Sequence, residues 1–154
     1  MRRWRHLSWR QRGWLLRAAL ALALVRVALW VVPFRRVWNR ITAGRAADVS
    51  PPVADADVEM ARWAVHAVGR RMPGGTCLVR ALTLRYLLGR LGVPCQLRIG
   101  VARRGANPLA AHAWVEVDGV PLSDGEELNG YAVLPPLEAK LSAATAPCMN
   151  GGIL

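Results

Sequence analysis

A chain of 154 residues that is 53 % hydrophobic and carries a formal charge of +11 holds one ordinary domain and an appended helix, which argues against a two-domain enzyme. The excess charge is confined to residues 1–45, with eleven arginines and no acidic residue, whereas residues 46–154 balance ten basic against ten acidic side chains. A neutral domain lacking zinc-finger spacing and aromatic-basic interleaving argues against a duplex-binding module, so no nucleic-acid partner is expected.

The chain divides on this basis into a basic, apolar helical segment, 1–47, and a domain, 48–154. Between Leu15 and Phe34 runs an apolar helix, LLRAALALALVRVALWVVPF, interrupted by Arg17 and Arg26 and ended near Pro33. A transmembrane span is disfavoured because Arg26 would stand near the bilayer centre. A cleaved signal lacks its small-residue cleavage site, since Phe34, Arg35, Arg36, Val37 and Trp38 follow. A helix packed on the domain or on a partner is the preferred reading. An interfacial helix comes second, with residues 1–45 touching a membrane surface through Trp4, Trp9, Trp14, Trp30 and Trp38 among the arginines.

Asp48 to Asp55, DVSPPVAD, reads as the linker into a helix from about Ala54 to Arg71. Met60, Trp63, Ala64, Ala67 and Val68 make its apolar stripe, and His66 is expected at the surface. Pro73, Gly74 and Gly75 break the chain, and Thr76 caps a second helix, CLVRALTLRYLLGRLG. Apolar nearly all round, with Arg80, Arg85 and Arg90 as exceptions, that helix is expected at the centre of the domain. Leu97, Ile99 and Val101 then alternate with polar neighbours as a strand, RRGANPLA reads as a loop, and a second alternation sets Ala113, Val115 and Val117 on one face against His112, Trp114 and Glu116 on the other. Asp118-Gly119 signals a hairpin returning over Val120 to Asp124. Beyond Gly125 the signals are weak.

Cys77 opens the buried helix, where unsatisfied N–H groups and the positive dipole end favour a thiolate and can stabilise an oxyanion. Gly74 and Gly75 are expected to let a substrate backbone come close. A cysteine, then a histidine on a later strand, then an aspartate on the next is the chain order of a transglutaminase-like Cys77, His112, Asp124 triad. The fold class expected is α+β, papain-like, with the nucleophile at the start of a buried helix on a small antiparallel sheet.

A strict two-residue loop at Asp118-Gly119 would set Asp124 opposite Ala113, on the wrong face for His112. A three-residue loop or one bulge corrects this, so one extra residue is expected; without it Glu126 or Glu127 becomes the better acid. Cys77, Cys95, His112 and Cys148 are metal-ligand types with no close pair, so no metal and no cofactor is expected. The odd number of cysteines and the absence of CxxC point to a reducing, cytoplasmic compartment, with Cys95 and Cys148 structural.

The runs PGGTCLVRALTLRYLLGRLGVP, LRIGV and AHAWVEVDG resemble the transglutaminase-like B proteins of lasso-peptide biosynthesis, in particular the peptidase half of a split, microcin-processing-type B pair, over about Ala54 to Glu127. The resemblance implies a leader peptidase that cuts a ribosomally made lasso precursor peptide between leader and core before an ATP-dependent lasso cyclase closes the macrolactam. It carries the nucleophile onto Cys77, the base onto His112 and the third member onto Asp124. It also implies that leader recognition is supplied by a small partner protein, because the N-terminal segment holds only the basic apolar helix. Two other readings remain open: a transglutaminase-like acyl transferase, and a non-catalytic membrane-associated scaffold.

Overall fold

The computed structural model describes residues 7–43, 55–104, 107–122 and 128–135. Ser8 starts the first helix, α1 (Trp9–Val31), with a reciprocal cap: its hydroxyl accepts from the Gln11 amide at 3.2 Å while its own amide donates to Gln11 Oε1 at 2.9 Å. Pro33 ends α1 and also starts a helix not expected from the sequence, α2 (Phe34–Ala43), in which the Arg36 and Val37 amides donate to the Pro33 carbonyl. α2 is a strongly amphipathic helix that buries Val37 and Trp38.

α3 (Asp55–Gly69) and α4 (Cys77–Arg90) follow. α3 packs on both α1 and α4, and its deepest residues are Ala61, Ala64 and Val65, which are fully buried. The expected stripe is therefore shifted: Met60, Trp63, Ala67 and Val68 flank the centre and are only partly buried. Being held between two helices widens the buried arc, which is why His66 is half-buried and not on the surface. α4 is the central helix, burying Val79, Ala81, Leu82, Thr83, Leu84, Leu87 and Leu88. α1 shares this core through Trp14, Leu15, Ala18, Ala21, Leu22 and Val25.

The four-stranded antiparallel sheet has the order β3-β2-β1-β4, from β1 (Gln96–Arg104), β2 (Asn107–Val117), β3 (Val120–Pro121) and β4 (Ala132–Val133). Most of the expected RRGANPLA loop is strand, because backbone pairing continues past Ala102↔Ala110 to Arg104↔Asn107 with one register shift. Ladder hydrogen bonds need no alternating side chains, so the polar, Gly- and Pro-containing composition concealed the extension. β4 covers the outer edge of β1 and was likewise unforeseen. Leu97, Ala113 and Val115 join the helical core, and Ile99 and Val117 pack against it. That face of the sheet meets α4, and Gln96, Arg98 and Gly100 pair across the other face with Glu116, Trp114 and His112.

Arg85 on α4 is 3 % exposed. Its Nη1 donates to the Cys95 carbonyl at 2.8 Å, and its guanidinium lies 4.9 Å from the Trp38 ring centroid. It thus ties α4 to α2 and to the approach of β1. Removing it with Arg85→Ala leaves a buried carbonyl without this donor and a cavity against Trp38, which should cost about 2–4 kcal/mol in urea unfolding. Arg85→Met keeps the stem and should recover much of that loss, since the desolvation of the charge is relieved at the same time.

Candidate active site

Thr76 stands in extended backbone ahead of α4, and its Oγ1 accepts from the Val79 amide at 3.4 Å. The cap leaves the N–H groups of Cys77 and Leu78 outside the helix's own hydrogen-bond ladder. Cys77 is the first residue of α4 and half-buried, whereas Cys95 is buried in the core.

The turn before Cys77 is held from two sides. Gly75 donates to the Met72 carbonyl at 3.0 Å, and the space in which a Gly75 Cβ would stand is taken by the Gly69 carbonyl. Gly74 has φ +72°, and the Arg26 guanidinium occupies its open side while donating to the Pro73 carbonyl. Both glycines are therefore filled by the protein itself, which corrects the expectation that they open a path for a substrate backbone. Arg26, the residue that argued against a membrane span, instead braces the segment leading into Cys77 from a position 47 residues earlier.

His112 is half-buried on β2, directly paired with Gly100. Its ring lies 6.0 Å from the ring of Trp114 at an interplanar angle of 14°, and 5.7 Å from that of Tyr131 at 46°. Gly100 makes room for this cluster: a Cβ there would stand 2.9 Å from the Trp114 indole and 2.9 Å from Tyr131 Cβ. Trp114 donates its indole N–H to Glu116 Oε1 at 2.9 Å, and Arg98 Nε donates to Glu116 Oε2 at 2.8 Å, so the indole is held at its polar end too. Gly100 and Tyr131 escaped the sequence reading. A glycine facing a histidine in a strand pair was the available signal, and it requires the register to be read.

α4 packs on β2, so Cys77 and His112 stand on two adjoining elements. His112 shares its face of β2 with Trp114 and Glu116, opposite the face of Ala113 and Val115 that joins the α4 core, so the packing of β2 on α4 does not by itself bring His112 to Cys77. Among the described residues no group of three His, Cys, Asp or Glu side chains could hold a metal. Cys148 lies outside them.

The third triad position also lies outside the described residues, as do Glu126 and Glu127. The turn before them is described. Val117 pairs directly with Val120, Asp118 and Gly119 have φ of 50° and 79°, and the Leu122 amide donates to the Val115 carbonyl at 2.8 Å. This is a two-residue type I′ loop, so of the two forms expected for the extra residue the three-residue loop is absent, and no bulge interrupts the register as far as Leu122. The Asp-Gly pair adopts two successive positive φ values, which matches the strand twist without any extra residue.

Residues 21–135 match the family model described as the Transglutaminase-like superfamily. Searches of curated proteins and of solved structures return no match.

Proposed function

The chain belongs to the transglutaminase-like superfamily, and from that membership we propose that it is a cysteine peptidase that removes the leader from a ribosomally made lasso-peptide precursor. The observation that carries the catalytic part is the place of Cys77, half-buried at the capped first turn of the central helix. Support for the lasso-specific part comes from the PGGTCLVRALTLRYLLGRLGVP and AHAWVEVDG runs.

In this reading the Cys77 thiolate attacks the scissile carbonyl, and the Cys77 and Leu78 amides face the oxyanion that forms. His112 gives its proton to the leaving amine, and the C–N bond breaks to leave a thioester on Cys77. His112 then takes a proton from water, whose oxygen attacks the thioester and releases the leader acid. The Trp114 and Tyr131 rings restrict the imidazole to few orientations. A leader-recognition protein, the precursor and an ATP-dependent lasso cyclase are the partners proposed, in the cytoplasm.

Incubating the chain with precursor and leader-binding protein, followed by mass spectrometry, tests this. Peptidase action gives two fragments that together weigh the precursor plus one water. A product carrying an added amine in place of water would assign the chain to acyl transfer, the alternative that family membership equally supports.

Asp124 is proposed as the residue that orients His112. The two-residue loop, with register unbroken through Leu122, removes one of the two routes by which Asp124 would reach the His112 face, so Glu126 is the competing acid. Asp124→Asn should lower turnover by about 10³–10⁴-fold while Glu126→Gln leaves it near parental. The reverse pattern in a steady-state comparison gives the role to Glu126.

A further inference from the structure

We infer that the outward face of α1 is a docking surface for an anionic lipid bilayer, on which the protein lies without crossing it. The inference goes beyond the proposed peptidase activity and needs none of it. By length and composition α1 could cross a membrane. Its inner face prevents this: Ala18 and Leu22 have no exposure, and Trp14, Leu15, Ala21 and Val25 are buried with them against α3 and α4. Lifting the helix into a bilayer would strip the core of one wall.

The opposite face is equally apolar and is bare. Leu16, Leu20, Leu24, Val27 and Val31, spaced four, four, three and four apart, are 58–75 % exposed. They form one continuous stripe. Trp9 precedes it and Trp30 lies near its C-terminal end, at 86 and 92 % exposure, about 32 Å apart along the axis. An apolar surface of this extent marks an interaction site.

Charge selects the occupant. Residues 1–45 contain no acidic residue, and arginines border the stripe on the side of Ala21 and Tyr86. Two hollows adjoin there, both lined by Leu24, one of about 590 Å³ with Arg36 and Arg40 in its lining, the other of about 450 Å³ with Arg17 and Arg90. Tyr86 and Ala21 line both. Apolar hollows with guanidinium groups in their lining suit acyl chains beneath phosphate headgroups, and exposed tryptophans towards either end of the helix belong at the level where those layers meet.

Co-sedimentation of the full chain with phosphatidylcholine vesicles, with and without roughly one-quarter phosphatidylglycerol, tests the assignment. Affinity for the anionic vesicles should exceed that for neutral ones by at least about tenfold, and the gap should narrow at about 0.5 M salt as screening grows. Leu20→Glu with Val27→Glu changes only exposed positions. The pair should keep the parental circular dichroism and lose binding by about a hundredfold. Failure to pellet with either vesicle overturns the inference, as does unchanged binding of the double variant. A dimer that the double variant dissociates while vesicles are ignored assigns the face to a second copy and overturns it too. Resistance to alkaline extraction from vesicles would overturn the surface-lying arrangement.

Discussion

Cys77→Ala should abolish precursor processing, lowering turnover by at least about 10⁴-fold, because removing the nucleophile of a triad leaves only binding and oxyanion stabilisation to act. The substitution removes one sulfur from a half-buried position at the edge of the core, so the melting temperature should stay near that of the parent. Cys95→Ala is the matched control. Its sulfur is buried among core side chains, and its contact with the Arg85 guanidinium runs through the backbone carbonyl, so turnover should persist. Single-turnover assays with saturating leader-binding protein and precursor separate the two variants. Parental processing by Cys77→Ala would end the peptidase reading, whatever the outcome of the vesicle experiment.

Gly75→Ala should damage both stability and turnover. A Cβ at Gly75 meets the Gly69 carbonyl, a backbone group that cannot rotate away, so the turn between α3 and α4 has to open. Forcing atoms into a closed site costs about 1–3 kcal/mol, which in a domain of this size lowers the melting temperature by several degrees. The displacement falls two residues before Cys77, so turnover should fall further than loss of folded protein explains. Gly89→Ala makes the same chemical change inside α4, where nothing stands within 4 Å. It should stabilise by about 0.5–1 kcal/mol, because alanine loses less conformational freedom in a helix. Paired thermal melts and activity measurements on the two variants check both signs.

Elements whose signal is local were legible. The run from Cys77 to Arg90 is apolar nearly all round and preceded by a capping threonine, and it forms the central helix. Alternation in Leu97 to Val101 and in Ala113 to Val117 marked the core face of two paired strands. Pro33, by contrast, was read only as a terminator, and α2 was missed because proline both ends one helix and suits the first turn of the next. At Asp118-Gly119 the needs of a triad call for an extra residue, but the Asp-Gly pair by itself favours a two-residue turn, and that local preference sets the loop.

Residue types and their short-range spacing were sufficient to decide that the fold is α+β, that a cysteine opens its most buried helix and that a histidine stands on a following strand. Tertiary structure alone decided the rest. Arg26 braces Pro73 and Gly74, Gly100 yields its side-chain space to Trp114 and Tyr131, and β4 closes the free edge of β1. It also decided which of two apolar faces α1 buries. The physical reason is range: periodicity and capping act within a few residues, whereas each of these contacts joins segments more than ten positions apart, whose meeting depends on how every intervening element packs.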